Sequence, residues 1–195
     1  IGTDLYVGGD FGMVNLGGTP VNASRIAKFN TLTNTWSALG SGANGVNGPV
    51  RALAAKGNDL YIGGSFNTVN GGVSANRVAK FNTGTGIWSA LGTGSGNGVD
   101  SYVYALAVIG NDLYVGGQYT TANIGGTSVS VNNVAKFNTL NNTWSALGTG
   151  SGNGVNIGVT ALAVIGSDLY VGGFFQTVNV GGVTVSVNNV AKFNT

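Results

Sequence analysis

The stretch "VAKFNTLNNTWSALGTGSGNGV", residues 134–155, repeats "VAKFNTGTGIWSALGTGSGNGV", residues 78–99, with four differences in 22 positions. A chain that copies itself at a fixed step folds as a row of like units, each burying its apolar surface against the next. The copying extends along the whole sequence. "DLYVGG" or "DLYIGG" starts at Asp4, Asp59, Asp112 and Asp168, at steps of 55, 53 and 56 residues. "AKFNT" recurs four times, and "WSALG" starts at Trp36, Trp88 and Trp144. The units are 1–49, 50–102, 103–158 and 159–195, about 55 residues each in the complete copies.

Inside a unit the apolar residues alternate or form short runs, and none follows a helical stripe. "YALAVIG" reads as a first strand, "GND" as a tight turn and "LYVGG" as a second strand. A longer polar, Gly-rich segment follows, then a third strand, "VAKFN", a turn and a fourth strand, "WSALG". The pattern predicts an all-β chain of four-stranded antiparallel sheets stacked face to face. Stacking buries both faces of each sheet, which accounts for the imperfect alternation of "ALAVIG". The first unit lacks its first strand and the last lacks its fourth, so 14 antiparallel strands in about four blades are expected. A ring of blades does not close with that set, and the chain reads as an excerpt of a longer protein.

Composition narrows the chemistry. Eight Lys or Arg and six Asp, with a net charge of +2 over 195 residues, give no basic patch for a phosphate backbone, so nucleic acid is not expected as a partner. There is no His and no Cys, which removes disulfides, thiolate metal sites and the usual nucleophile–base pairs, and no cofactor or metal is expected. No apolar run reaches the length of a membrane-spanning helix. Thirty-six glycines suit tight turns between short strands.

The double glycine after "LYVGG", the aromatic residue of "AKFN" and the tryptophan of "NTW" together resemble the kelch repeat, the blade of kelch and galactose-oxidase β-propellers. Similar repeats occur in bacterial surface proteins and fungal cell-surface polarity proteins. The resemblance implies a β-propeller segment. The units here exceed the kelch length of about 50 residues, lack one residue before the glycines and lengthen the segment between second and third strands, so a projecting hairpin is expected there. The copper chemistry of galactose oxidase uses His and Cys, absent here, and is not implied.

Each unit carries an Asp before "LY" (Asp4, Asp59, Asp112, Asp168) and a Lys in "AKF" (Lys28, Lys80, Lys136, Lys192). The Asp is expected to fix its turn through bonds to its own backbone, and the Lys to find a carboxylate or carbonyl partner at the interface between units. Trp36, Trp88 and Trp144 are expected to anchor the outer strand against the adjacent unit, with sugar stacking as the alternative role. Tyr6, Tyr61, Tyr114 and Tyr170 sit on the second strand, where a buried hydroxyl needs a partner. Phe11, Phe66, Tyr119 and Phe175 are expected to form the local core of the projecting hairpin, or to contact a ligand or an assembly partner. Asp10 and Asp100 interrupt the repeat and are the weak candidates for a cation site. "GTGSGNGV" lacks the Lys of a phosphate loop and reads as a connection between units. Asn22 and Asn141 match the glycosylation sequon.

These readings point to a non-catalytic, extracellular or cell-surface module, of bacterial type, in which a rigid scaffold presents hairpins for protein contacts or assembly. A glycan-binding propeller and a self-assembling filament or array subunit are the alternatives.

Overall fold

The computed structural model describes residues 1–15, 18–40, 45–92, 97–148 and 153–195. Among them there is no helix. The first unit contains β1 (Asp4–Gly8), β2 (Met13–Val14), β3 (Val21–Asn22), β4 (Ile26–Asn30) and β5 (Thr35–Ala38). The second contains β6 (Val50–Lys56), β7 (Asp59–Gly64), β8 (Thr68–Val69), β9 (Val73–Ser74), β10 (Val78–Asn82) and β11 (Ile87–Ala90). β12 (Gly98–Val99) closes the second unit and leads into the third, which holds β13 (Val103–Ile109), β14 (Asp112–Gly117), β15 (Thr121–Ile124), β16 (Thr127–Ser130), β17 (Val134–Asn138) and β18 (Thr143–Ala146). β19 (Gly154–Val155) closes the third in the same way and leads into the fourth, which holds β20 (Val159–Ile165), β21 (Asp168–Gly173), β22 (Thr177–Val180), β23 (Val183–Ser186) and β24 (Val190–Asn194).

The main sheets are antiparallel meanders: β1-β4-β5, β6-β7-β10-β11, β13-β14-β17-β18 and β20-β21-β24. The expected projecting hairpin is present in every unit, as β2-β3, β8-β9, β15-β16 and β22-β23. The two-residue strand that leads into the third or fourth unit, β12 or β19, adds to that unit's hairpin. Thus the connection out of one sheet ends by pairing with the hairpin of the next. The "GTGSGNGV" segments fall mostly on 93–96 and 149–152, outside the described residues.

Three apolar cores lie between the four sheets. The first joins Ile26 and Leu39 to Leu60, Ile62, Phe81 and Trp88. The second joins Tyr61, Val78 and Leu91 to Leu113, Val115, Phe137 and Trp144. The third joins Tyr114, Val134 and Leu147 to Leu169, Val171 and Phe193. The period-two pleat sorts each sheet into two unlike faces. Leu60 and Ile62 of β7 point to the preceding sheet, and Tyr61 between them to the following one. Where no neighbouring sheet is present the same positions are open: Val134 is fully buried, while Val190 is 61% exposed.

The paired glycines make this stacking possible. A Cβ on Gly8, Gly63 or Gly116 would lie 2.3, 2.5 or 2.6 Å from the Cγ1 of Val50, Val103 or Val159, the first valine of the next unit. A Cβ on Gly64, Gly117 or Gly173 would meet the carbonyl oxygen of Pro49, Tyr102 or Gly158 within its own sheet, at 2.0 to 2.2 Å. One glycine therefore admits the neighbour and the other closes the sheet on its own first strand.

The residue two before "AKF" takes a left-handed conformation in every copy: Arg25, Arg77, Asn133 and Asn189 have φ of 62 to 65°. Asn suits that region better than Arg. Asn133 also donates to Val155 O at 2.8 Å and accepts from Tyr119 N at 3.2 Å, whereas the buried Arg77 Nε finds no acceptor. Arg77→Asn is expected to stabilise the chain by about 1 kcal/mol. Thermal unfolding of the variant checks this, and a lower midpoint would count against it.

Candidate functional site

In each unit the Asp–Lys pair forms as an ion pair across the second and third strands. Lys28, Lys80, Lys136 and Lys192 lie 3.0 to 3.2 Å from Asp4, Asp59, Asp112 and Asp168. The role expected for the Asp needs correction: its carboxylate does not fix its own turn. It accepts from the Asn that ends the third strand, directly opposite in the ladder: Asn30 at 2.8 Å, Asn82 and Asn138 at 2.7 Å and Asn194 at 3.2 Å. The turn bonds belong to that Asn. Asn30 Oδ1 accepts from the N–H groups of Leu32 and Thr33, and Asn82 and Asn138 do the same for their turns. Lys, Asp and Asn thus tie the second strand to the third and to the turn into the fourth. The Lys28 hydrogen bond holds the Asp4 carboxyl below its ordinary value, against the opposing effect of desolvation.

Between consecutive sheets lies the same crevice, three times over. One is lined by Tyr6, Lys28, Ser37, Phe81 and Thr83, with a volume of about 420 Å³. Its counterparts are lined by Tyr61, Lys80, Ser89, Phe137 and Thr139, about 180 Å³, and by Tyr114, Lys136, Ser145, Phe193 and Thr195, about 350 Å³. The tyrosine of one unit and the threonine of the next line each crevice together: Tyr6 with Thr83, Tyr61 with Thr139 and Tyr114 with Thr195. Burial pushes the Tyr61 hydroxyl up to about 12, with the Asp59 carboxylate adding to the rise and the Thr139 bond opposing it. Burial raises the Tyr6 and Tyr114 hydroxyls as well, so these phenols stay protonated near neutral pH. Lys56 links one interface directly, donating to Asn111 Oδ1 at 2.7 Å and Thr139 Oγ1 at 2.8 Å.

The aromatic candidates are mostly interior. Trp88 and Trp144 are 5% exposed and lie 5.0 and 5.1 Å from the rings of Phe81 and Phe137 opposite them. Trp88 Nε1 donates to Leu39 O of the preceding unit at 3.4 Å, so it spans the interface as an anchor does. Trp36, on the outer face of the first sheet, is half-buried against Phe29. Phe66, Tyr119 and Phe175 are buried within the cores between sheets, while Phe11 is half-buried. Burial removes the alternative role of ligand contact for Trp88, Trp144, Phe66, Tyr119 and Phe175, and extends the expected hairpin core of the last three into the cores between sheets.

Asp100 is also corrected: it does not interrupt the repeat. It stands where the other copies have Asn47 and Asn156, and all three accept two consecutive backbone N–H groups of the hairpin entry at 2.9 to 3.0 Å. Burial raises the Asp100 carboxyl, but bonds from the Thr121 and Thr120 N–H groups and the Thr120 hydroxyl outweigh it and leave it below its ordinary value. A depressed folded-state value means that Asp100 stabilises the fold above its unfolded titration, and that this contribution is lost as pH falls through the folded one. Asp100→Asn is expected to be nearly neutral at pH 7 and to remove this site's acid sensitivity, whereas Asp100→Ala costs about 1–2 kcal/mol. Denaturant unfolding at pH 7 and pH 3 distinguishes these outcomes. Asp10 pairs instead with Arg25 at 3.5 Å, and no cluster of three potential metal ligands occurs among the described residues. The sequon residues Asn22 and Asn141 are both exposed.

A cluster of another kind has no counterpart among the repeated positions. Tyr102 and Tyr104 stack with ring centroids 6.3 Å apart and planes 28° from parallel, and the Arg51 guanidinium lies 5.5 Å from the Tyr104 centroid. The signal for it lies in the sequence, where the copies read "VRALA", "VYALA" and "VTALA": the changing residue marks the spot.

No family model matches the chain, and no curated protein does. Among solved structures it is similar to the computationally designed Ika8 protein, at 16% identity and a TM-score of 0.50, over 93% of this chain and 48% of that one. The designed Ika4 protein aligns at 18% identity and a TM-score of 0.49, over 93% of this chain and 88% of that one. At these identities the likeness concerns the fold alone. Among the described residues no helix is long and apolar enough to cross a membrane.

Proposed function

We propose that the four sheets are blades of a kelch-like β-propeller, and that the chain is a non-catalytic extracellular module whose rigid stack presents the inserted hairpins to protein partners. The observation that carries this reading is the contrast between stack and hairpin. Residues at the interfaces between sheets are nearly copied, while the hairpins differ in sequence and hold apolar residues toward solvent, such as Met13, Val183 and Val185. Conserving a support while varying its projections suits recognition. The test is Val183→Ser with Val185→Ser in the labelled chain applied to cell surfaces. Surface binding is expected to fall several-fold with an unchanged unfolding midpoint, and unaltered binding would reject the hairpins as the contact.

A self-assembling subunit is the second reading, favoured by the two open end faces. Leu5 at one end and Ile165 and Val190 at the other are exposed where inner copies are covered. Sedimentation velocity over a range of concentrations tests it: growing species support assembly, and a single monomeric boundary at high concentration opposes it.

A further inference from the structure

The residues that differ most between otherwise copied first strands all sit at one irregularity of the ladder. The pairing of β6 with β7 shifts between Val50 and Ala52, that of β13 with β14 between Val103 and Ala105, and that of β20 with β21 between Val159 and Ala161. The residues passed over are Arg51, Tyr104 and Thr160. A bulge of this kind leaves one residue outside the pairing and re-aims its side chain. Positions on either side of it are copied because the stack needs them. The bulge positions are free of that demand, and there the chain places an arginine and a tyrosine.

We propose that Arg51, Tyr102 and Tyr104 form a saccharide-binding surface for an acidic glycan, with the sugar carboxylate on the Arg51 guanidinium and a pyranose face against Tyr102. Tyr102 is 46% exposed, so its ring is available to a partner and is not spent on packing. Its stacking on Tyr104 widens the flat apolar platform that a sugar's C–H face covers. Arg51 is exposed and held from two sides, over the Tyr104 ring and by its Nε–H bond to Ser65 Oγ at 3.2 Å. Among the described residues five of the eight Lys and Arg side chains are ion-paired with Asp, and Arg51 is not one of them. A positioned guanidinium without a carboxylate beside it matches a bidentate acid from outside. The exposed Gln118, whose N–H donates to Tyr102 O, adds a polar rim.

These residues lie outside the crevices described above, and what they offer is a stacking plate beside a charge. An exposed ring pair beside a guanidinium matches an acidic sugar, whose C–H face covers the rings while its carboxylate meets the charge; an acidic peptide would use the charge alone. The inference is independent of the hairpin reading, because it uses neither the hairpins nor their partners.

The test is calorimetric titration of the chain with a glucuronate-containing oligosaccharide, its carboxyl-reduced neutral form and a glutamate-rich peptide of equal charge. The acidic sugar is expected to bind, with about ten-fold weaker binding after carboxyl reduction, after Arg51→Gln and after Tyr102→Ala, since a charge-assisted contact of this kind supports a change of that size. Thermal unfolding confirms that both variants remain folded, and Lys192→Gln, remote in sequence and on the fourth sheet, is expected to bind as the parent does. The proposal is overturned if the acidic sugar does not bind, if the neutral form or the peptide binds equally well, or if Arg51→Gln and Tyr102→Ala leave affinity unchanged.

Discussion

Gly63→Ala is expected to destabilise the chain by about 2 kcal/mol or more, while Gly172→Ala, at the same position of the fourth copy, is neutral or slightly stabilising. The new methyl on Gly63 would lie 2.5 Å from Val103 Cγ1 and 3.3 Å from Leu106, so the second and third sheets must separate. Valine is branched at Cβ and fully buried here, which leaves it no rotamer to retreat into. At Gly172 the nearest atom is Ala161 Cβ at 3.7 Å, an ordinary contact, because no further sheet packs there. The second glycine behaves differently: Gly64→Ala and Gly173→Ala both drive a Cβ into a backbone carbonyl of their own sheet, at 2.1 and 2.2 Å, and both are expected to be severe. Denaturant unfolding of the four variants separates the effects of stacking from those of sheet closure. Val103→Ala in the Gly63→Ala background is expected to recover part of the loss, a coupling that independent sites do not show. Equal losses at Gly63 and Gly172 would mean that the glycine answers a local backbone need and has nothing to do with the neighbour.

Trp88→Ala is expected to cost about 3–5 kcal/mol, and Trp36→Ala about 1–2 kcal/mol. The two residues share their sequence context and their partner on the third strand, Phe81 or Phe29 at 5.0 Å. They differ in what lies behind them. Trp88 is closed in by the first sheet and donates to Leu39 O, so its removal leaves a cavity between sheets; half-buried Trp36 has no preceding sheet over it. Unfolding free energies of the two variants measure the difference directly. Losses of the same size would show that the tryptophans act within their own sheets.

The strand order of the main sheets follows from features legible in the sequence. The double glycine, the period-two pattern and the turns "GND" and "TLTNT" each mark one boundary, and the length added between the second and third strands marks the hairpin. The Lys–Asp pair is only half legible: that each Lys needs a partner is readable, but the expected place, the interface between units, is corrected by the ladder, which sets Lys28 opposite Tyr6 and beside Asp4 of its own unit. The turn chemistry is less so. An Asp beside a turn and an Asn at a strand end are both able to cap, and only the ladder, which sets Asp4 opposite Asn30, shows that the Asn holds the turn. Asp100 looks like an exception until Asn47 and Asn156 are seen to make the same bonds. The Arg51–Tyr102–Tyr104 cluster depends on bulges in β6 and β13, first strands that pack against each other, a relation between units that a reading of one copy at a time does not contain.

The central claim is that the sheets are stable because they cover one another. Hydrogen exchange followed by mass spectrometry, resolved by unit, tests it most directly. The account predicts slowest exchange in β7 and β14, which are covered on both faces, and faster exchange in β1 and β21, where Leu5 and Val190 mark open faces. Equal protection of all four second strands would contradict it, since sheets that need no neighbour would protect their amides alike.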